Sequence, residues 1–363
     1  MKVLYLTVGA QIGGGSISLY TLMDTLRGRG VDSSVICPGQ GPLIEKYAEI
    51  NVPCRVLRYN WLDRRRPWST AKEFLLWRRT IKQVAPDIVH ANAIGAARSV
   101  GLPSWSAGIP WICHCRFPDE REYIRWLFRR LPKPDVFVSC SHALQSMVSD
   151  VFFEVSPHSR QEVVYDAVDL DVFQPQFKPI NTPQRVGIVA NMTPVKGHEV
   201  FLEMARLLVD RGLETEFWLV GRDDGCGDRV RALVESLRLT KYVTFLGYRN
   251  DLPQVLANLD VVVSSSHMEC CPVNVIEAMA CGRPVVVTHV GGSPELVEQG
   301  RTGYVVPPRD PVSMADAVQH LLSKDSIREE MGRAGRERAE RLFHRDVYAQ
   351  KVMNLYEQVL HRN

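Results

Sequence analysis

Residues 264 to 288 read SSSHMECCPVNVIEAMACGRPVVVT. The run LDVVV just before them, 259 to 263, is continuously apolar after its aspartate, and PVVV at 284 to 287 matches it. Short apolar runs of this kind predict buried strands. Between them there is room for one short helix. Pro272 suits its first turn, because the amide hydrogen that proline lacks would have no intrahelical partner there. Gly282 can take the left-handed conformation that ends a helix. Glu269 is therefore expected on the loop, and Glu277 about a turn into the helix.

Working outward, short apolar runs alternate with longer amphipathic ones, the pattern of a parallel sheet covered by helices, which makes the chain α/β. Expected strands in the first half are 3 to 8, 34 to 37, 55 to 57, 87 to 90, 111 to 113 and 136 to 138. The pattern pauses at FQPQFKPINTPQR, 173 to 185, where three prolines and few core-forming residues predict a linker. A second series follows at 186 to 190, 217 to 220, 243 to 246, and then the two strands of the opening stretch. No sequence repeat accompanies it. A charged helical stretch starts near Ser326, and 347 to 360 carry apolar residues at helical spacing.

Composition bounds less. A length of 363 residues predicts two or three domains, and 45% hydrophobic with 23% charged residues is ordinary for a soluble chain. A net charge of +3 gives no argument for nucleic acid. The nine cysteines are odd in number and mostly lie inside apolar runs, which predicts a reducing, cytoplasmic setting. Cys113-His114-Cys115 lacks the paired spacings of a zinc site, so no metal is expected. VLYLTV is too short for an export signal, and no apolar run is long enough to span a bilayer. The expectation is a soluble protein, or one bound to a membrane at its surface.

The chemistry starts from the placement of the two glutamates. A helix N-terminus presents unbonded amides and a partial positive charge, which suit a diphosphate. A carboxylate on either side would then meet the neutral hydroxyls flanking that diphosphate in a sugar nucleotide, ribose at Glu277 and sugar at Glu269. Taken alone, the pair reads instead as a solvated helix residue and an ordinary loop carboxylate. Context separates the two readings. EAMACGRPVVVT with GGSPELVEQGRTGYVVPP resembles the signature of retaining group 1 (family 4) glycosyltransferases. The similarity continues in order through Gly13 to Gly15, PDIVHANA at 86 to 93, SCSHAL at 139 to 144, VVYDAVDLDVF at 163 to 173 and NMTPVKGHEVFLEMA at 191 to 205.

That resemblance implies two Rossmann-like domains facing across a cleft, the GT-B fold. An acceptor-binding domain would cover 1–175 and a nucleotide-sugar domain 183–345, and a terminal helix, 346–363, would return to the first. It implies retaining transfer of a sugar from a UDP- or GDP-linked donor to a hydroxyl acceptor, a lipid-linked sugar or glycan precursor of the polysaccharide type, with no required metal. Catalytic roles fall to Glu269, Lys196 and His114. Donor contacts fall to Gly14, Gly15, Asn191, Gly247, Tyr248, Arg249, Cys271, Pro272, Val273, Asn274 and Glu277. These residues do not separate uracil from guanine. A sugar-nucleotide epimerase or phosphorylase of the same architecture, or a non-catalytic nucleotide-sugar binder, is the alternative.

Several of these residues read less sharply by themselves. Lys196, just before Gly197 and the segment HEVFLEMARLL, could reach a leaving diphosphate or be a solvated residue at a helix start. Tyr248 could face a base or merely end a strand. His114 closes the run PWIC, and a histidine at a strand's carboxyl end points toward a ligand crevice or serves the core. Two positions depart from the family: Asn191 stands where many members have arginine, and Asp166 where many have asparagine. The first glycine turn, VGAQIGGGS, does not fit G-x-G-x-x-G, and Cys37 and Pro38 stand where a dehydrogenase would need an acid. VGGSPE at 290 to 295 lacks the lysine of a P-loop. Two stretches, 60 to 79 and 116 to 134, mix arginine with tryptophan and read as surfaces for anionic lipid or as solvated helices.

Overall fold

The computed structural model describes residues 1–58, 67–176 and 183–361; positions 60 to 66 of the first basic stretch and 177 to 182 of the expected linker lie outside the described residues. The chain forms two compact units, Met1–Ala167 with Arg345–Asn363, and Val168–His344.

The first unit is built on seven strands, β1 (Lys2–Leu6), β2 (Asp32–Cys37), β3 (Cys54–Val56), β4 (Ile88–Ala91), β5 (Trp111–Cys115), β6 (Val136–Ser139) and β7 (Arg160–Val163). Helices α1 (Gly14–Arg27), α2 (Pro42–Glu49), α3 (Pro67–Val84), α4 (Ile94–Ser106), α5 (Arg121–Phe128) and α6 (His142–Val155) connect them. All pairings are parallel, in the order β3-β2-β1-β4-β5-β6-β7. The strand order reverses between β1 and β4, and in open sheets of this kind ligands bind at the carboxyl ends beside that reversal.

The second unit contains β8 (Gln184–Val189), β9 (Thr215–Val220), β10 (Val243–Gly247), β11 (Val261–Ser264), β12 (Val285–Thr288) and β13 (Gly303–Val306). They pair in parallel as β10-β9-β8-β11-β12-β13, so the same order recurs without a sequence repeat. Its helices are α7 (His198–Asp210), α8 (Gly227–Ser236), α9 (Leu252–Ala257), α10 (Val273–Ala280), α11 (Ser293–Leu296), α12 (Pro311–Ser323) and α13 (Asp325–Leu342). The final helix, α14 (Arg345–Leu360), belongs to the first unit and packs on α1. It buries Tyr348, Val352, Leu355, Tyr356 and Val359, one stripe at helical spacing, against Leu19, Leu22 and Leu26. Each such apolar side chain contributes about 1.5–3 kcal/mol by leaving water.

The sequence series omits two strands. RQEV of β7 is half-buried and polar on an edge, and GYVV of β13 opens on glycine, so neither reads as an apolar run. Pro272 is also one position off: it is the residue preceding α10, not part of its first turn. Gly282, with φ of +68°, does end the helix in the left-handed region. No described helix is long and apolar enough to cross a membrane.

The packing of α10 sets the surroundings of Glu277. Seven of its eight residues are buried, because α13 covers the face turned away from the sheet. The close approach is made by Gly332 of α13, whose missing Cβ would stand 2.1 Å from the carbonyl oxygen of Gly282. Alanine normally favours a helix over glycine by about 1 kcal/mol, but here the backbone obstacle cannot move aside. Gly332→Ala is expected to destabilise the protein by about 1–3 kcal/mol, read as a lower urea midpoint; an unchanged or raised midpoint would refute this account of the α10–α13 contact.

Candidate functional site

In the second unit, two loops leave the sheet at its order reversal between β8 and β11, and both run along each other. After β8 the chain makes a 3-10 turn, Pro194–Lys196, and Gly197 then takes φ of +63° before α7 starts. After β11 the loop 265 to 269 is pinned along that turn. Ser265 donates its hydroxyl to the Gly197 carbonyl at 2.8 Å, and the His267 amide donates to the Val195 carbonyl at 2.8 Å. The His267 ring sits 2.6 Å from Glu199 Oε1. A Cβ at position 197 would lie 2.1 Å from the Ser265 carbonyl oxygen, so glycine is needed for both space and conformation.

This register brings two of the expected residues together. Lys196 Nζ donates to Glu269 Oε1 at 2.6 Å, and the Ser266 hydroxyl donates to the same oxygen at 2.7 Å. The Glu269 side chain is 8% exposed and that of Lys196 28%. Behind it, the Gly292 amide donates to the Glu269 carbonyl at 3.3 Å, and Gly291 lies so close that a Cβ would fall 1.6 Å from that carbonyl oxygen. The VGGSPE turn, with no P-loop lysine, thus backs Glu269. Sequence reasoning missed Ser265, Ser266 and Gly291, whose signal was only small residues beside a strand end.

Just beyond, α10 begins after Cys271 and Pro272. The amides of Val273 and Asn274 have no acceptor among the described residues, while the Asn274 carboxamide donates to the Val189 carbonyl at 2.9 Å and ties the helix start to the end of β8. Asn191 accepts from the Arg222 amide at 3.2 Å and donates to Asp224 at 2.9 Å. One of its two N–H donors and one acceptor site are thus engaged within the protein. Arg222, just past the carboxyl end of β9, carries a charge nearby and is itself held by Asp224 at 2.7 Å. Gly247 takes φ of +64°, Tyr248 is exposed, and Arg249 forks onto Asp251 at 2.7 and 2.5 Å.

In the first unit, Gly14 and Gly15 open α1, and Gly15 lies flat against the Arg116 side chain. His114 does not point into an open crevice. Its imidazole is fully buried on β5, stacked 5.7 Å from His90, with neither nitrogen bonded to a group among the described residues. Burial and the Arg116 charge hold it neutral, well below the usual histidine range. The open space at this sheet's order reversal is a cleft of about 400 Å³ lined by Val8, Ile94, Arg116, Phe117, Asp119 and Tyr123. Burial raises the Asp119 carboxyl above its ordinary value.

Glu277 is the most perturbed acid of the second unit. Enclosed on α10 with no hydrogen-bond partner for its carboxyl among the described residues, it is pushed by desolvation from 4.5 up to about 8. A folded-state value above the unfolded one means the native protein holds an extra proton between those limits. The stability this confers is complete below about pH 4.5 and is lost as pH rises through about 8. Glu277→Gln cannot lose that proton. Its melting temperature should exceed wild type at pH 9 and converge with it toward pH 5; parallel pH profiles would show that the carboxyl is already ionised.

Comparisons with known proteins cover both units. A profile described as glycosyltransferase family 4 matches residues 12–172, and one described as glycosyl transferases group 1 matches 183–324. The N-acetyl-alpha-D-glucosaminyl L-malate synthase of Bacillus anthracis is 28% identical over 63% of this chain and 60% of its own length. The D-inositol 3-phosphate glycosyltransferase of Corynebacterium jeikeium (strain K411) is 31% identical over 54% of this chain, matched along 51% of its own length. The chain thus spans just over half the length of these relatives. A crystal structure of Anabaena Alr3699/HepE with UDP and glucose superposes with a TM-score of 0.83 at 21% identity, over 99% of this chain and 100% of that one, which shows the same GT-B fold. With both halves matched in order, the chain belongs to the group 1, family 4 glycosyltransferases.

Proposed function

We propose that this protein transfers a sugar, with retention of anomeric configuration, from a nucleotide-diphosphate sugar to a hydroxyl acceptor. The observation that carries the reading is the pairing of Lys196 with Glu269 beside the unbonded amides of α10, with the partnerless Glu277 carboxyl on the same helix. Charge develops on the diphosphate as the glycosyl bond loosens. Lys196, the α10 N-terminus and Arg222 are preorganised to meet it, and such groups act without reorganising at the moment of reaction. Glu277 takes ribose hydroxyls and Glu269 those of the sugar. Gly14, Gly15, Asn191, Gly247, Tyr248, Arg249, Cys271, Pro272, Val273 and Asn274 complete the donor contacts, chiefly through backbone. His114 serves by supporting the end of β5 from the core. The acceptor hydroxyl attacks the face the diphosphate leaves, with no required metal.

UDP is the favoured nucleotide over GDP, because the Anabaena protein of the same fold was crystallised with it. The relatives named for malate and inositol phosphate favour a small or glycan hydroxyl acceptor. Warming the protein with UDP- and GDP-sugars tests the donor, since a ligand bound only by the folded state raises its melting temperature; stabilisation by neither class would remove the reading. With the responding donor, Lys196→Ala should lower kcat about 10²–10³-fold. Glu277→Ala should weaken donor binding about 3–10-fold, as loss of a hydrogen bond from an uncharged carboxyl does. Near-normal kinetics for both variants would mean the site lies elsewhere.

One surface supports a second reading, in which the acceptor is lipid-linked and presented at a membrane. On α3, Trp68 and Leu75 are exposed at helical spacing beside exposed Lys72, Arg78, Arg79 and Lys82. On α5, by contrast, Arg121 pairs with Asp150 at 2.5 Å and Arg125 with Glu154 at 2.8 Å, which neutralises much of the 116 to 134 stretch. We infer peripheral attachment through α3 on a cytoplasmic membrane face, each basic side chain worth about 1 kcal/mol near an anionic surface. Sedimentation with phosphatidylglycerol vesicles should occur at low salt and disappear in Lys72→Glu/Arg79→Glu; wild-type protein left in the supernatant at low salt would exclude it.

A further inference from the structure

Arg116 directly follows β5 in the first unit, its side chain buried, and nothing in the proposed reaction uses it. Its Nη1 donates to Asp166 Oδ1 at 2.7 Å. Its Nε and Nη2 both donate to Asn92 Oδ1, at 3.0 and 2.8 Å, and Nε also reaches the Asn92 carbonyl at 3.2 Å. The side chains of the ion pair are only 9% and 5% exposed. The Asp166 charge keeps the guanidinium protonated, above its ordinary range despite burial. The network continues from both ends. The Asn92 carboxamide donates to the Gly15 carbonyl at 3.2 Å, and Ser18 of α1 donates to Asp166 at 2.5 Å and contacts the Tyr348 hydroxyl at 3.2 Å. A Cβ on Gly15 would stand 2.7 Å from Arg116 Cδ, so the turn rests directly on the arginine stem.

We propose that Arg116 and Asp166 are a positioning pair that fixes the glycine-rich turn 13 to 15 and the first turn of α1 for sugar transfer. A buried ion pair is a poor source of stability, because replacing both partners by apolar groups is often neutral or better. A planar fork gripping Asn92 on one side and Asp166 on the other does something an apolar plug cannot: it sets the direction of the carboxamide that holds Gly15. The departure at position 166 then has a physical reason. An aspartate there supplies the counter-charge for a guanidinium enclosed in the same unit.

The inference rests on the reading that this turn contacts the donor, so two measurements on the full chain separate them. Hydrogen exchange of residues 12 to 18 reports the turn itself, and calorimetry with UDP-glucose as the probe reports its use. In Arg116→Met/Asp166→Leu, exchange at 12 to 18 should quicken at least about tenfold while the urea midpoint stays near wild type. UDP-glucose affinity should fall about tenfold or more. Arg116→Lys, which keeps the charge but loses the fork, should show the same losses; full retention of both readouts in it would reduce the pair to charge balance and overturn the proposal. Wild-type exchange at 12 to 18 in the folded double variant would also overturn it. Faster exchange with unaltered UDP-glucose affinity would keep the brace but reject the turn as a donor contact, and no binding to the wild type would reject the donor reading alone.

Discussion

The ammonium of Lys196 and the carboxylate of Glu269 can meet only because two backbones approach closer than any side chain would permit. Gly197 lies against the Ser265 carbonyl and Gly291 against that of Glu269. Those contacts bring the loop after β11 alongside the turn after β8, and the rest of the second unit's site is arranged around that register. The ion pair adds little to stability, since a partly exposed lysine gains modest Coulomb energy against the cost of desolvating the carboxylate. Its consequence is chemical. The pair holds the Lys196 ammonium beside the start of α10, the placement on which the proposed function rests.

Burial does the corresponding work at Glu277. The α13 helix closes over α10 through Gly332, and an acid with no partner inside that enclosure holds its proton into the neutral range. Glu269 and Glu277 are eight residues apart in sequence, yet one is ion-paired on a loop and the other is enclosed on a helix. Two carboxyls in such different surroundings are suited to different partners. Asn191 fits the same picture: its side chain bonds to Asp224 and the Arg222 backbone, and the Arg222 guanidinium, just past β9, is held by the same Asp224.

The first unit has the same strand order and a different chemistry at its reversal. There the guanidinium is occupied by Asp166 and Asn92, at the wall of a cleft that also holds an acid, a phenol and apolar side chains. His114 shows why strand position alone misleads. It sits at the carboxyl end of β5 as a ligand-facing residue would, but its side chain shares the face of Ile112 and is sealed under α1 and α14.

By itself the sequence determined the α/β class, eleven of the thirteen described strands, the short helix of the opening stretch with its glycine stop, and the family. These rest on local patterns, apolar runs and turn residues, that do not depend on what packs against them. It also marked Lys196, Glu269 and Glu277, because their spacing from strand ends is fixed by the chain. Tertiary structure alone decided that Lys196 pairs with Glu269, that Asn191 bonds to Asp224 and Arg222, that His114 is enclosed, and that Arg116 braces the glycine-rich turn. Each of those depends on which loop a side chain meets across the sheet, and a separation of 50 or 73 residues leaves no local trace of the meeting.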